Sequence, residues 1–398
     1  MNPLYRDMPT TIFEAMSMRA RETGAINLGQ GFPDGPINAA VIAAACDAMH
    51  QRSNQYPPMI GLPELRDAVA GWYARHQALD LAADEVVVTS GATEAIAAAL
   101  LALIVPGDEV LLFQPLYDAY LPLVQRAGGI ARIVDLDRTS WRIDPAGLTA
   151  AIGPRTRLIV FNDPMNPLGT CAHPDDQALL AQACVEHDLI AICDEVWEAL
   201  VYDGAEHRSL MQQPGMRERT VKIGSAGKIF GLTGWKLGWM CATPPIAHVL
   251  AKAHQFLTFT SPPHLQWAVA EGLNSQDAWI ATARAEHQAS RDFFCAGLHA
   301  IGLATIPSAA TYFVTVDLAA SQVPMDDVAF CEAIIGSAGV AAIPISAFYA
   351  EAVPSHLVRF CFAKHRATLQ AALDGLARAL PGLRLLAETD KMVGETGF

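Results

Sequence analysis

The chain has 398 residues, of which 52% are hydrophobic and 17% charged, and its formal net charge is −14. This composition excludes a disordered chain, and the length is enough for two domains. The acidic balance, without any block of Lys or Arg, argues against a nucleic-acid-binding surface, and the apolar runs are too short to span a bilayer. We therefore expect neither a nucleic acid nor a membrane among its partners.

The cysteines and the N-terminal sequence bear on the compartment. The eight cysteines are scattered and form no C-x-x-C pair, so free thiols in a reducing environment are expected. The first residues, MNPLYRDMPT, lack the basic start and apolar stretch of a secretory signal. We predict a cytoplasmic protein.

Short β-rich segments alternate with helical patterns from about residue 85 onward. This alternation predicts an α/β fold in which helices cover both faces of a parallel or mixed sheet. The strand candidates are enough for one large seven-stranded sheet: EVVVT (85–89), EVLLF (109–113), IARIV (130–134), RLIVF (157–161), LIAIC (189–193), TVKIG (220–224) and LGWMCA (237–242).

The pattern changes after Pro262. A helical region at about 264–302 is followed by the strand candidates TYFVTVDL, VAAIPIS and LVRFCFAK and by a closing helix, HRATLQAALDGLARAL. These features predict a smaller α+β domain. We divide the chain into an N-terminal arm and small-domain segment at 1–30, a large domain at 31–284 and a small C-terminal domain at 285–398.

A candidate phosphate site follows the first strand of the large domain. In VVVTSGATEAIAAA (86–99) a strand runs into Ser90, Gly91, Ala92 and Thr93 and then into a helix. Small residues at a helix N-terminus expose N–H groups where the helix dipole is positive, so this turn can hold a phosphate. Taken alone, such a turn is more often an ordinary helix cap.

Polar residues follow three further strand candidates. Asn166 lies in NDPMNPLGT (162–170) after one strand, Asp194 ends the next in LIAICDEV, and Ser225 and Lys228 follow TVKIG. Ligands of open α/β sheets bind at the carboxyl ends of the strands, so we expect these side chains to lie close together. The simpler interpretations are a surface turn for Asn166 and a helix cap for Asp194.

The two lysines of SAGKIFGLTGWKLGW (225–239) suit different tasks. Partial burial beside a second cation, Lys236, disfavours the ammonium form of Lys228 and makes its amine a nucleophile. Pyridoxal phosphate needs an amine for its aldehyde, a turn and a cation for its phosphate, and a carboxylate for its ring nitrogen. The combination of these residues therefore predicts a pyridoxal-phosphate site.

Together these motifs resemble those of the class I aminotransferases of pyridoxal-phosphate fold type I, in the branch of kynurenine and glutamine transaminases and bacterial methionine aminotransferases. The resemblance runs from INLGQGFPDGP (26–36) through NQYPPMIGLPELRDAV (54–69) to LVRFCFAK (357–364). It implies a large domain with a mostly parallel seven-stranded sheet between helices, a small α+β domain, and pyridoxal 5'-phosphate as cofactor. The implied substrates are an amino acid and a 2-oxo acid.

The resemblance also implies a role for each matched residue around the cofactor. Lys228 is the Schiff-base lysine and the general acid/base of a ping-pong reaction, and Asp194 holds the pyridine nitrogen. The other implied cofactor-binding residues are Gly91, Ala92, Thr93, Ser225 and Lys236 at the phosphate, Tyr117 on the ring face, Asn166 at the ring oxygen and Tyr56 at the phosphate of the neighbouring subunit. A homodimer with shared active sites follows from the role of Tyr56.

On the substrate side, the resemblance implies that Arg359 clamps the α-carboxylate, whose contacts also include the backbone of Gly31 and the amide of Asn166. The planar fork of an arginine suits such a bidentate pair. The candidate side-chain pocket is mostly apolar and consists of Ile12, Phe13, Phe32, Met59, Ile60 and Phe348.

Two positions depart from the family pattern. Trp197 stands where a tyrosine usually donates to the ring oxygen, and Met165 stands where a histidine is common. An indole N–H donates as well, but its reach differs. We therefore keep Trp197 among the cofactor-binding residues; the pH optimum depends on this donor.

The apolar pocket, with no second arginine identified for an acidic side chain, favours a neutral L-amino acid such as methionine, glutamine, kynurenine or an aromatic one. An N-succinyldiaminopimelate aminotransferase is an alternative, because related sequences of that activity share NQYPP and GATEAIAAA. A cysteine-S-conjugate β-lyase is another, because the same carbanion can expel a β-thiolate. A non-catalytic regulator would need an attached DNA-binding domain, for which we expect no room before residue 26.

Overall fold

The structure, a computed structural model, describes residues 1–6, 8–35 and 37–395, and for residues 386–395 it describes the backbone alone. The strands, in chain order, are β1 (Ile26–Asn27), β2 (Val86–Thr89), β3 (Glu109–Gln114), β4 (Ile130–Asp135), β5 (Thr156–Asn162), β6 (Ile190–Asp194), β7 (Thr220–Ser225), β8 (Gly238–Cys241), β9 (Ala304–Thr305), β10 (Phe313–Asp317), β11 (Val340–Ala341), β12 (Ile343–Pro344) and β13 (Leu357–Cys361).

Helices make up most of the remaining regular structure. They are α1 (Pro3–Arg6), α2 (Ile12–Thr23), α3 (Ala39–Gln51), α4 (Pro63–Gln77), α5 (Gly91–Leu103), α6 (Tyr120–Arg126), α7 (Pro145–Ala151), α8 (Pro174–Glu186), α9 (Ala226–Ile229), α10 (Pro244–Leu257), α11 (Pro263–Ser275), α12 (Asp277–Ala300), α13 (Asp327–Ser337) and α14 (Arg366–Glu395). Within the part of the chain that the structure describes, none of them is both long and apolar enough to cross a membrane.

Contacts divide the chain into two units. The first consists of Met1–Gly35, Asn166–Thr170 and Ala285–Phe398, and the second of Pro36–Met165 and Cys171–Arg284. The short segment Asn166–Thr170 thus groups with the two ends of the chain. The division that the sequence suggested, at 30/31 and 284/285, stays a prediction.

The second unit is built on one seven-stranded sheet in the order β2-β8-β7-β6-β5-β3-β4. Strand β8 is antiparallel to both of its neighbours, and the other pairs are parallel. All seven strand candidates lie in this sheet, so the predicted α/β fold with a mostly parallel sheet is confirmed. The inner strands are almost wholly buried, which is why they read as continuous apolar runs, whereas the edge strand β4 alternates in exposure.

The helix α5 packs against this sheet next to β2. It begins at Gly91, two residues after β2 ends, and buries the small side chains Ala95, Ala98 and Ala99 with Ile96 and Leu100. Small residues on the buried face let the helix lie close to the strands. The helix N-terminus is therefore held at the carboxyl end of β2.

The first unit is an α+β structure with two small sheets. In one, β1 pairs in parallel with β11, and in the other the antiparallel order is β12-β13-β10-β9. Arg359 lies in the middle of this second sheet, opposite Thr315 on β10 and Ile343 on β12. Burying a charged residue on an inner strand costs free energy unless its hydrogen-bond donors meet acceptors.

Candidate active site

Several polar residues of the second unit lie at the carboxyl edge of the large sheet. Asn162, the last residue of β5, is opposite Asp194, the last residue of β6, and Asp194 is in turn opposite Ile223 on β7. Ser225 ends β7, and Lys228 lies in the one-turn helix α9 that follows. The parallel register thus carries Asp194, Ser225 and Lys228 to the same edge, as the sequence predicted from strand ends.

Asp194 is buried and held from two sides. The hydroxyl of Tyr120 donates to its Oδ2 over 2.6 Å, and the amide of Asn162 donates to its backbone carbonyl over 2.8 Å. Its other carboxylate oxygen, Oδ1, is buried without a hydrogen-bond partner among the described residues. Burial raises the pKa of Asp194 above its ordinary value, and the Tyr120 hydrogen bond and the Lys228 charge act against that shift.

Lys228 lies against an aromatic ring. Its Nζ is 4.3 Å from the centroid of the Trp197 ring, and the Trp197 side chain is buried. A cation over an indole face is attracted by the ring quadrupole, which gives Trp197 a contact to Lys228 that does not depend on a phenol. Tyr117 is partly buried and packs edge-to-face on Tyr120 with ring centroids 5.6 Å apart.

A cradle of backbone and small side chains forms where α5 begins. Gly238, the first residue of β8, is opposite both Thr89 on β2 and Ser225 on β7. A side chain at Gly238 would come within 3.0 Å of Gly91 and 2.8 Å of the Gly224 carbonyl, so only glycine fits there. This close packing brings the turn at Gly91, Ala92 and Thr93 next to the end of β7.

Lys236 is part of the same cradle. Its Cε is 3.5 Å from the position that a side chain at Gly91 would take, and its own backbone is left-handed with φ of 52°. Gly91 has φ of 75°, which favours glycine at the first position of α5. Helix N–H groups, the Ser225 hydroxyl and an ammonium are the donors that suit a phosphate.

In the first unit, Arg359 is 2% exposed and its guanidinium is anchored on both sides. Nη1 donates to Oδ1 of Asn166 over 2.8 Å, and Nη2 donates to the carbonyl of Gly29 over 2.6 Å. The rings of Phe313, Phe13 and Phe348 surround it at 3.9, 5.2 and 5.2 Å from the guanidinium carbon. These ring contacts favour one orientation of the planar guanidinium.

The segment from Gly29 to Asp34 is pinned next to Arg359. Gly31 has no room for a side chain, because a Cβ would come within 2.6 Å of the Phe313 ring. Lys364 donates to the Phe32 carbonyl over 3.2 Å and to the Asp34 carboxylate over 2.8 Å. Phe32 itself is 43% exposed, so its ring is available at the surface of this unit.

Comparison with known proteins identifies the family of the chain. The family model described as aminotransferase class I and II matches residues 23–376. The chain belongs to the class I and II aminotransferases. The predicted family, fold type I, enzyme class and pyridoxal-phosphate cofactor are thereby confirmed, and its substrates are an amino acid and a 2-oxo acid.

Several curated aminotransferases are similar along nearly their whole length. A probable N-succinyldiaminopimelate aminotransferase of Mycobacterium tuberculosis is 43% identical, over 94% of this chain and 96% of its own. The methionine aminotransferase of Escherichia coli is 39% identical over 92% and 95%, and human kynurenine–oxoglutarate transaminase 1 is 35% identical over 90% and 93%. The solved structure of the Mycobacterium tuberculosis enzyme aligns with the present structure over 95% of this chain and 99% of its own, with a TM-score of 0.91.

The residues of the second unit fit pyridoxal phosphate. The unpartnered Oδ1 of Asp194 is an acceptor that a protonated ring nitrogen would satisfy, and such an orphaned buried oxygen otherwise costs stability. The cradle at the start of α5 offers donors that suit a phosphate, and the Lys228 amine lies in α9, directly after β7. Tyr120 was not identified from the sequence, although it lies three residues after Tyr117 and directly contacts Asp194.

Proposed function

We propose that this aminotransferase uses Lys228 as the lysine that carries the cofactor and moves the substrate proton. Bound pyridoxal phosphate supplies an aldehyde for the amino group and an electron sink for the Cα electrons. The observation that carries the assignment is Asp194, whose buried, unpartnered Oδ1 lies on the strand next to the one that leads to Lys228. The Lys228 amine would take the proton from the substrate Cα as general base and then, as general acid, deliver it to the cofactor side of the substrate–cofactor bond instead of giving it back to Cα.

The other cofactor roles follow from what each group can donate. Gly91, Ala92, Thr93, Ser225 and Lys236 would hold the phosphate through N–H groups, a hydroxyl and an ammonium. Asn166 would donate to the ring oxygen, Tyr117 would cover one ring face, and Trp197 would line the cofactor beside Lys228, which its ring already contacts.

For the substrate, we assign the α-carboxylate to Arg359, with the Gly31 backbone and Asn166 as further partners. Phe13 and Phe348, whose ring centroids are 5.4 Å apart, give this part of the first unit an apolar character, and Phe32 adds another ring. Apolar walls favour a neutral side chain on the amino donor. Methionine, glutamine, kynurenine and aromatic amino acids are the proposed donors.

A second candidate donor is N-succinyldiaminopimelate. It is favoured by the 43% identity to the probable N-succinyldiaminopimelate aminotransferase, which is above the identities to the methionine and kynurenine enzymes. Its long side chain carries two further carboxylates, one of them on the amide-linked succinyl group, so it would need donor groups beyond Arg359.

We also propose a cytoplasmic homodimer in which Tyr56 reaches the neighbouring subunit's phosphate. Tyr56 is 82% exposed and packs edge-to-face on Phe259, which is itself 41% exposed. Exposed neighbouring aromatic rings are typical of surfaces that meet another protein. The eight cysteines are all free thiols, which is usual in a reducing compartment.

The test is an absorbance spectrum of the purified protein with pyridoxal phosphate, before and after adding L-methionine, L-kynurenine or N-succinyldiaminopimelate. We expect the cofactor band to change with a donor and to return when a 2-oxo acid is added. The rates rank the donors. A Lys228→Ala variant that still interconverts donor and acceptor at the normal rate would refute the assignment of Lys228.

A further inference from the structure

A buried charge cluster lies behind the carboxyl edge of the large sheet. It consists of Glu195, Glu198, Lys222 and His207, whose side chains are at most 3% exposed. The Lys222 ammonium contacts Oε2 of Glu195 and lies 2.6 Å from Oε2 of Glu198. Charges so deeply buried are tolerated only when they are paired and hydrogen-bonded.

Both carboxylates use their remaining oxygens. Glu195 accepts from the Ser209 hydroxyl over 2.8 Å and faces Nε2 of His207 at 2.9 Å. Glu198 accepts from Tyr73 over 2.9 Å and from Gln77 over 2.6 Å. Each carboxylate is therefore fixed by groups from other parts of the second unit.

The donor atoms of Glu195, Glu198 and His207 lie within 4.8 Å of one another, a spacing that a metal ion could bridge. The ammonium of Lys222 contacts both carboxylates at that place, so the lysine supplies the cation of this cluster. Burial opposes ionisation of Glu195, yet Lys222 and His207 outweigh it and lower its pKa to about 2. The same pairing outweighs burial at Lys222 and raises its pKa.

The cluster alternates along the chain with residues assigned to the cofactor. In the sequence DEVWE, Asp194 and Trp197 belong to the proposed cofactor site, while Glu195 and Glu198 belong to the cluster. Lys222 lies on β7, three residues before Ser225 and six before Lys228. The ammonium thus links the segment after β6 to the strand that leads to the catalytic lysine.

We propose that Lys222 is a positioning residue for the cofactor site, because its ammonium ties the Asp194–Glu198 segment to β7. This inference rests on the proposed roles of Asp194 and Lys228. Backbone pairing ends near this point, with the Glu195 N–H donating to the Ile223 carbonyl over 3.1 Å. Beyond that bond, the buried ion pairs set the spacing between Asp194, the carboxylate proposed for the ring nitrogen, and Lys228.

The test compares Lys222→Met, which keeps an unbranched side chain and removes the charge, with Glu195→Gln, which keeps the shape and weakens the pairing. The matched control is Glu109→Gln. Glu109 is a buried carboxylate at the opposite, amino end of the same sheet, paired with Arg132 and Arg155. Its loss should lower stability without touching the cofactor site.

Two quantities are measured on protein whose fold is checked by circular dichroism and melting temperature. They are the dissociation constant for pyridoxal phosphate, from titration of cofactor-depleted enzyme, and the pH midpoint of the bound cofactor's absorbance band. We expect Lys222→Met to raise the dissociation constant about tenfold and Glu195→Gln about threefold, both with a shifted midpoint. Glu109→Gln should keep the wild-type constant and midpoint although its melting temperature falls.

Folded Lys222→Met with the wild-type constant and midpoint would overturn the inference. Should that variant not fold, Glu195→Gln with both wild-type values would overturn it equally, and so would a control that shifts both quantities as much. A wild-type protein that binds no pyridoxal phosphate would instead overturn the proposed function, and the inference with it. The wild-type titration therefore separates the two failures.

Discussion

Nη1 of Arg359 donates a hydrogen bond to Oδ1 of Asn166 across 2.8 Å, which fixes how the asparagine amide is turned. With its oxygen accepting from the guanidinium, the amide presents its nitrogen as a donor. A donor is what the ring oxygen of the cofactor requires in the proposed role of Asn166. In the proposed site, one arginine would thus both bind the substrate carboxylate and orient Asn166.

Replacing Arg359 by lysine should damage substrate binding far more than a conservative change of charge suggests. Lysine keeps one positive charge but loses the planar fork and its two anchors on Asn166 and Gly29. We expect kcat/KM for the amino donor to fall by about 30-fold or more, a loss of about 2 kcal/mol in transition-state binding. Steady-state kinetics measures this, with the exposed Arg378→Lys as control. Unchanged kcat/KM would contradict the assignment of the carboxylate to Arg359.

Tyr120→Phe should weaken cofactor binding without disturbing packing. The variant keeps the ring and removes the hydroxyl that donates to Asp194, so the pKa of the carboxyl rises further and its hold on a ring N–H weakens. Loss of a hydrogen bond to a charged group costs about 1.5 kcal/mol, so the dissociation constant for pyridoxal phosphate should rise about tenfold. Fluorescence titration measures it, and the exposed Tyr5→Phe should be neutral. An unaltered constant in Tyr120→Phe would show that Asp194 does not depend on this donor.

Lys364→Met should act on the substrate and spare the cofactor. The lysine holds the Phe32 carbonyl and the Asp34 carboxylate, so its loss frees the segment that carries Gly31 and Phe32. We expect KM for the donor to rise about fivefold with little change in kcat, as when uniform binding is lost. Asp34→Asn should give a similar but smaller rise, because it breaks the same pair. A normal KM in both variants would mean that this pair does not support substrate binding.

His207 predicts a pH dependence of stability on the alkaline side. Burial lowers its pKa, but Glu195 and Asp163 outweigh burial and raise it above the ordinary value. A raised folded pKa gives stability that is complete below about pH 6.5 and is lost as the pH rises through the folded pKa. We expect the wild-type melting temperature to fall by about 2 °C more between pH 6 and 9 than that of His207→Gln. The exposed His248→Gln should follow the wild type, and equal slopes in wild type and His207→Gln would contradict the prediction.

Much of this arrangement is readable from the sequence, and the reason is local. Each strand of the large sheet is a short apolar run, and each polar candidate of the second unit directly follows such a run, so topology alone brings Asp194, Ser225 and Lys228 to one edge. Lys222 offered a weaker signal, since it is the one charge inside TVKIG. Its partners are Glu195 and Glu198, which follow β6, and the ring of Tyr73 on α4, 4.6 Å from its Nζ, and no spacing rule connects these places to β7.

The role of Tyr120 could not be predicted from the sequence. It opens α6, and its partner Asp194 lies 74 residues further along the chain. A tyrosine at the start of a short helix looks like any amphipathic residue, because the carboxylate that needs its hydroxyl is supplied by tertiary packing. The grouping of Asn166–Thr170 with the chain ends was hidden for the same reason.

Gly238 has a consequence for how such an enzyme can diversify. Gly238 lies against two strands and the start of α5, so even a methyl group there would push apart the backbone of the proposed phosphate cradle. Single substitutions in the cradle would disturb its packing, so its residues can change only together. New substrate preferences are therefore more readily acquired in the Gly29–Asp34 segment, where an exposed Phe32 can be exchanged without moving the groups that would grip the cofactor.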